Sequence, residues 1–133
     1  MPQTSADQNL ETVRALYAAY ETRDVEGLLA PLHDDFEVYQ SELLPWGGTY
    51  KGRDGMMEFI QSITSHIDSV VVVEELVEAG DHVIMVGRSR GTITANGESY
   101  EVRLVDVVRL REGKIARLDI YLDTPAVLEA MGR

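Results

Sequence analysis

The spacing of apolar and polar residues divides the chain into a mainly helical first half and a β-rich second half. Apolar residues three and four positions apart predict a first helix that begins at Ser5 or Asp7 and ends near Thr22. Residues 1–6 are expected to form a flexible lead. After a break, Asp24 is a good N-cap for a second, short helix that contains Leu28, Leu29 and Leu32.

A turn, one short strand and a third helix complete the first half. Residues 33–35 are polar and predict the turn, and the alternation over residues 36–40 predicts the strand. Residues 41–52 are rich in Gly and Pro and are expected to form a loop that carries Trp46. The third helix is expected to begin at Asp54.

The second half reads as an antiparallel meander. The predicted strands cover residues 70–77, 83–94, 99–111 and 114–122. Asn96-Gly97 is a strong signal for a tight hairpin, and Pro125 begins a weak helical turn in a C-terminal tail, residues 125–133. The order α-α-β-α-β-β-β-β predicts one α+β domain over residues 1–133, with three N-terminal helices on one face of a curved, mostly antiparallel sheet.

Strand alternation also predicts which side chains face the helices. Three polar side chains fall on this inner face: Gln40, Ser89 and Asp106. Asp106 lies between Leu104 and Val108, so its carboxyl is expected in an apolar setting that raises its pKa. Gly87 and Gly91 fall on the same face and are expected to leave room beside Asp106.

The opposite, outer face of the predicted sheet is charged at its margins and apolar at its centre. Five arginines and two acids are expected to form a lattice of cross-strand ion pairs: Arg88, Arg90, Arg103, Arg109 and Arg117 with Glu101 and Asp119. The apolar centre consists of Ile84, Val86, Val105 and Val107. This outer sheet face is therefore the predicted interface of a homodimer.

Composition narrows the range of partners. The formal net charge of −11 disfavours binding to nucleic acids and to anionic membranes. With no cysteine there can be no disulfide or thiolate metal site, and the three histidines lack ligand spacing, so no metal is expected. No phosphate-binding glycine loop, signal peptide or membrane span is predicted, so we expect no cofactor and a cytoplasmic location.

Several motifs between residues 8 and 124 occur in an order that a known family shares. They are residues 17–20 (YAAY), 27–29 (GLL), 34–36 (DDF), 44–52 (LPWGGTYKG), 111–115 (REGKI) and 121–123 (YLD). Together they resemble the nuclear transport factor 2-like superfamily, and residues 44–52 resemble its SnoaL-like polyketide cyclase branch. The resemblance implies a cystatin-like cone that encloses one mostly apolar pocket.

The same resemblance implies a chemistry. Ketosteroid isomerases of this fold carry a tyrosine, a base aspartate and a second, protonated aspartate. These positions fall on Leu16, Gln40 and Asp106, so only the last is kept. The resemblance implies a cofactor-free isomerase or cyclase that acts on a small hydrophobic, carbonyl-bearing molecule, such as a polyketide or steroid-like ring. A non-catalytic binder of a small apolar ligand and a dimerisation module remain alternatives.

Asp106 is the predicted catalytic residue, either as acid/base or as enol stabiliser. The predicted substrate contacts are Tyr20, Gln40, Trp46, Phe59, Ser89, Leu104 and Ile120. Alternatively, Asp106 is structural and bonds Gln40, Tyr20 or Ser89. Trp46 and Tyr50 form either a lid over the pocket or an anchored aromatic loop, and Tyr17 is expected in the core with its hydroxyl at the rim.

Overall fold

The computed structural model describes residues 5–133 of the chain. Within this range the helices are α1 (Ser5–Thr22), α2 (Val25–Leu29), α3 (Gly52–His66) and α4 (Thr124–Ala130). The strands are β1 (Leu32–Gln40), β2 (Gly48–Lys51), β3 (Ile67–Ala79), β4 (His82–Ile93), β5 (Ser99–Arg111) and β6 (Lys114–Leu122). Of the predicted flexible lead, residues 1–4 lie outside the described residues, whereas residues 5 and 6 belong to α1.

All six strands within the described range form one sheet in the order β2-β1-β6-β5-β4-β3. β1 runs parallel to β6, and every other neighbouring pair is antiparallel. The predicted α+β class and mostly antiparallel sheet are therefore confirmed. The last two strands match their predicted limits. The apolar alternation of β5 runs without interruption, and the turn at Glu112 and Gly113 separates it from β6.

The core lies between the helices and the inner face of the sheet. α1 contributes the buried side chains of Val13 and Leu16, and α3 contributes Met56 and Phe59. The Asp24 side chain accepts a hydrogen bond from the Gly27 N–H, as expected of an N-cap. None of the described helices is long and apolar enough to cross a membrane.

The first strand is longer than predicted. Leu32 does not belong to the second helix but begins β1, where it is fully buried and pairs with Ile115 of β6. The predicted turn at residues 33–35 is a part of β1 at which the register shifts before Glu37. Such an irregularity lets the polar residues Asp34 and Asp35 remain exposed within a strand, and it hides the strand from a simple alternation test.

The loop predicted over residues 41–52 contains β2, which the sequence analysis missed. This four-residue strand pairs only with β1, and none of its side chains is fully buried. An edge strand of this kind carries almost no apolar alternation, so its flanking glycines dominate the sequence signal.

The C-terminal tail is folded, which corrects the three-helix prediction to four helices within the described range. Asp123 caps α4 by accepting from the Ala126 N–H, and Pro125 occupies the first turn. Val127 is fully buried, and the Asn96 side chain donates to the Ala130 carbonyl oxygen. α4 therefore closes the end of the core near the β4–β5 turn.

The inner-face glycines do not leave the space that was predicted. A Cβ atom at Gly87 would lie 2.0 Å from the Val72 carbonyl oxygen, and one at Gly91 would lie 2.3 Å from that of Asp68. The missing side chains are thus replaced by the backbone of β3, which approaches β4 closely at both positions.

The predicted ion-pair lattice on the outer face is correct only in part. The register places Arg90 opposite Glu101, but it also places Arg88 opposite Arg103 and Arg109 opposite Arg117, so these two pairs of neighbours carry like charges. Arg117 does bind Asp119, but along its own strand, and it also binds Glu37 of β1. Alternation fixes the face on which a residue lies, but the register between strands decides which charges meet.

Candidate functional site

A mostly apolar cavity lies between α1, α3 and the inner face of the sheet. Its volume is about 90 Å³, and a space of this size can hold several water molecules. All eight predicted site residues line it: Asp106, Tyr20, Gln40, Trp46, Phe59, Ser89, Leu104 and Ile120.

Asp106 is the buried carboxyl of this cavity, with only 4% of its surface exposed. Its Oδ2 accepts a 2.6 Å hydrogen bond from the Tyr17 hydroxyl. Its Oδ1 is fully buried and has no hydrogen-bond partner among the described residues. Burial raises the pKa of Asp106 to about 7, although the Tyr17 hydrogen bond acts in the opposite direction. Near neutral pH this carboxyl is therefore divided between its acid and its anion.

The partner of Asp106 is not one that the sequence analysis considered. Tyr17 was expected to place its hydroxyl at the rim, and Gln40, Tyr20 and Ser89 were the alternative partners. Burial and then the neighbouring carboxyl raise the pKa of the Tyr17 phenol, so it stays protonated and acts as a donor. Tyr17 lies one residue beyond Leu16, on which the resemblance placed the isomerase tyrosine.

Gln40 and Asp106 lie in one row across the sheet, with Ile120 between them. Two strand spacings separate their backbones, which is roughly 10 Å. The Gln40 Oε1 accepts a 2.8 Å hydrogen bond from the Trp46 indole N–H, and we find no partner for its Nε2 among the described residues. The row therefore presents an amide donor and a carboxyl to the same cavity.

Trp46 is a fixed wall of the cavity and not a mobile lid. Its side chain is fully buried, and its indole N–H is held by Gln40. The Tyr50 hydroxyl donates to the Trp46 carbonyl oxygen, and the Tyr50 ring packs edge-on against Phe59. The anchored-loop interpretation is the one that this geometry supports.

A second polar group occupies another part of the cavity wall. The Tyr20 and Ser69 hydroxyls are 2.8 Å apart, and those of Ser89 and Tyr100 are 3.1 Å apart. Burial raises the pKa of Tyr100, and hydrogen bonds from Ser89 and Ser69 oppose this shift. We call these four residues the hydroxyl cluster.

Two members of the hydroxyl cluster escaped the sequence analysis. Ser69 was missed because the predicted strand began at Val70, whereas β3 begins at Ile67. Extending the same alternation backwards from Val71 would have placed Ser69 on the inner face. Tyr100 was missed because no pattern pointed to it as the partner of Ser89. Among the described residues, no group of three or more acids and histidines is placed to hold a metal ion.

Comparison with known proteins identifies the family. A family model described as a SnoaL-like domain matches residues 13–118. The chain belongs to this SnoaL-like family. No curated protein matches it.

Solved structures of SnoaL-like and related chains agree over nearly the whole length. An NTF2-like protein of unknown function from Burkholderia pseudomallei is 28% identical, with a TM-score of 0.89 over 95% of this chain and 98% of that one. An NTF2-like protein from Burkholderia thailandensis is 30% identical, with a TM-score of 0.87 over 92% and 96%. TerC, co-crystallised with polyporic acid, is 28% identical, with a TM-score of 0.87 over 95% and 99%. These similarities support the predicted cone fold.

Proposed function

We propose that this SnoaL-like protein acts on a small hydrophobic, carbonyl-bearing molecule by acid/base chemistry that uses no cofactor. The observation that carries the proposal is the unpartnered Oδ1 of Asp106, buried in the wall of the apolar cavity. Leaving a buried polar atom without a partner costs about 1–3 kcal/mol. A ligand oxygen at this position would remove that cost, and water can do so when the cavity is empty of substrate.

The raised pKa allows Asp106 to serve in both protonation states. As the acid, it donates a proton from Oδ1 to a substrate carbonyl oxygen and so stabilises an enol. As the anion, it removes a proton from the carbon next to that carbonyl and returns it elsewhere, which gives an isomerisation or prepares a cyclisation. A group whose pKa lies near 7 is effective in both directions at neutral pH.

Two neighbours have supporting roles in this proposal. The Tyr17 hydroxyl holds Oδ2, so that Oδ1 is the oxygen left for the substrate. The Gln40 amide lies across Ile120 in the same row and would orient a second polar group of the substrate. Co-crystallisation of the relative TerC with polyporic acid supports a small organic ligand for this fold.

A non-catalytic binder is the second candidate, because Asp106 is the only carboxyl among the described residues that line the cavity. Exchange of the methyl protons of acetophenone in D₂O, followed by NMR, separates the two functions. We expect wild-type protein to accelerate this exchange, and Asp106→Asn to lose about 100-fold or more of the acceleration while still binding acetophenone. Glu58→Gln, an exposed change on α3, is the control. Binding without accelerated exchange in the wild type would favour the binder.

The outer sheet face is proposed as a homodimer interface. Arg103 is exposed, lies opposite Arg88, and forms no ion pair within the described part of the chain, although the protein carries a net charge of −11. Tyr121 on the same face is 52% exposed. A second copy would offer acids to these arginines and cover the apolar centre. Arg103→Glu should then yield monomers in light scattering, and a persistent dimer would contradict this interface.

A further inference from the structure

The hydroxyl cluster forms a second polar pole of the cavity, distant from Asp106. Ser69 and Ser89 are each 5% exposed, and both line the cavity together with Tyr20. Ser89 pairs with Val102, which lies four residues before Asp106 on β5. Four residues of a strand span roughly 13 Å, so the two poles face each other along the length of the cavity.

Helix α1 contributes one tyrosine to each of the two polar ends of the cavity. Tyr17 and Tyr20 lie three residues apart on α1, which separates them by roughly 4.5 Å along the helix axis. The Tyr17 hydroxyl bonds Asp106, whereas the Tyr20 hydroxyl bonds Ser69. The wall between the poles is apolar and includes Leu104 and Phe59.

The hydroxyl cluster has hydrogen-bonding capacity left for a ligand. Each hydroxyl offers one donor and two acceptor sites. Tyr20 and Ser69 form one pair of hydroxyls, and Ser89 and Tyr100 form the other. Each pair has two donors and makes one hydrogen bond, so one donor remains in each pair. Tyr20, Ser69 and Ser89 line the cavity. Because the hydroxyl protons can rotate, the remaining donor of each pair can come from a residue that lines the cavity.

Arg23 closes this pole from outside. Its guanidinium carbon lies 4.6 Å from the centre of the Tyr20 ring, and its Nη2 donates a 2.8 Å hydrogen bond to the Ser69 carbonyl oxygen. Tyr20 and Ser69 are thereby held together at the point where α1 meets β3. A ligand would therefore contact hydroxyl oxygens whose positions are fixed, whereas the hydroxyl protons can still rotate to donate to it.

We propose that the substrate is an elongated, apolar molecule with an oxygen at each end, one bound by Asp106 and the other by the hydroxyl cluster. A hydroxylated aromatic ketone has this form. The inference rests on the proposed function for the Asp106 end, but it adds a second binding group that catalysis at Asp106 does not require.

Two fluorescent probes test the second pole: 2-naphthol and 2,6-dihydroxynaphthalene, which differ only in one terminal hydroxyl. We expect wild-type protein to bind the diol about 3- to 10-fold more tightly, the value of one ordinary hydrogen bond. The Tyr20→Phe/Ser69→Ala/Ser89→Ala triple variant removes the three hydroxyls of the cluster that line the cavity, and it should bring the ratio of the two affinities close to one. Ser65→Ala, an exposed change on α3, should leave the ratio unchanged.

The outcomes separate this inference from the proposed function. A ratio near one in the wild type, or a ratio that survives in the triple variant, would overturn the second pole while leaving the chemistry at Asp106 intact. Each of the three single variants repeats the measurement should the triple variant fail to fold. Failure of the wild type to bind either probe would overturn the second pole, and accelerated acetophenone exchange by the same protein would still support the proposed function.

Discussion

The Tyr17 hydroxyl donates a 2.6 Å hydrogen bond to one oxygen of Asp106 and leaves the other oxygen without a partner. This arrangement balances two opposing effects on the carboxyl. Burial favours the neutral acid, whereas the Tyr17 donor favours the anion. The pKa of Asp106 therefore stays near neutrality because of one neighbouring phenol.

Removing that phenol should raise the pKa of Asp106 above its wild-type value of about 7, because burial would then act unopposed. The change is Tyr17→Phe, which keeps the ring and deletes the donor. Carboxyl ¹³C chemical shifts, followed through a pH titration, would measure the effect. Tyr121→Phe on the exposed outer face is the control. An unchanged or lowered pKa would contradict the assigned role of Tyr17.

The same carboxyl makes stability depend on pH with a defined sign. The folded-state pKa of about 7 exceeds the ordinary value of 3.8, so between these two pH values the folded chain holds a proton that the unfolded chain has lost. Stability from this group therefore falls as pH rises from about 4 to about 7 and is constant above that.

Urea unfolding at pH 5 and pH 8 would measure this dependence against Asp106→Asn, which cannot titrate. From pH 5 to pH 8, the wild type should lose about 2–3 kcal/mol of unfolding free energy relative to the variant. Other titrating groups are common to both proteins and cancel in the difference. A difference that is constant with pH would mean that Asp106 has an ordinary pKa.

The sequence was sufficient to predict the class of the fold and the residues that lie on the inner face of the sheet. Strand β5 alternates without interruption, so Asp106 and Leu104 were placed correctly on the inner face. Periodicity is a local property, and it succeeds wherever one side of a strand is buried along its whole length.

Contacts between different helices and strands could not be predicted from periodicity. Whether Tyr17 or Tyr20 reaches Asp106 depends on the rotation of α1 about its axis, and both residues face the sheet. The space beside Gly87 depends on how closely β3 approaches, which alternation does not encode. The edge strand β2 and the irregular part of β1 were not predicted for a related reason. The residues of β2 are partly exposed, and the register of β1 shifts, so neither segment shows the alternation of apolar and polar residues that marks a strand.

The close approach at Gly87 predicts a severe effect of adding one methyl group. In Gly87→Ala the new Cβ would lie 2.0 Å from the Val72 carbonyl oxygen, and the atom that must move is backbone. We expect a loss of about 2–4 kcal/mol in unfolding free energy, as for other overpacked interior sites. The control is Gly80→Asn, at a turn with a φ of +68° and nothing near its Cβ position. There asparagine is tolerated, so a loss below about 1 kcal/mol is expected. Equal losses at the two sites would contradict the packing of β3 on β4.

The bond between Trp46 and Gln40 should be measurable as a coupling energy. Gln40→Leu removes the acceptor of the buried indole N–H and should cost about 1–3 kcal/mol of unfolding free energy, because the donor is then unpaired. Trp46→Phe deletes the donor but also leaves a cavity, so its own cost is larger than the hydrogen bond alone. Urea unfolding of the wild type, both single variants and the double variant completes a double-mutant cycle. The double variant should lose about 1 kcal/mol less unfolding free energy than the sum of the losses in the two single variants. Strict additivity would show that the two side chains do not interact, and Trp46 would then no longer be fixed as a wall of the cavity.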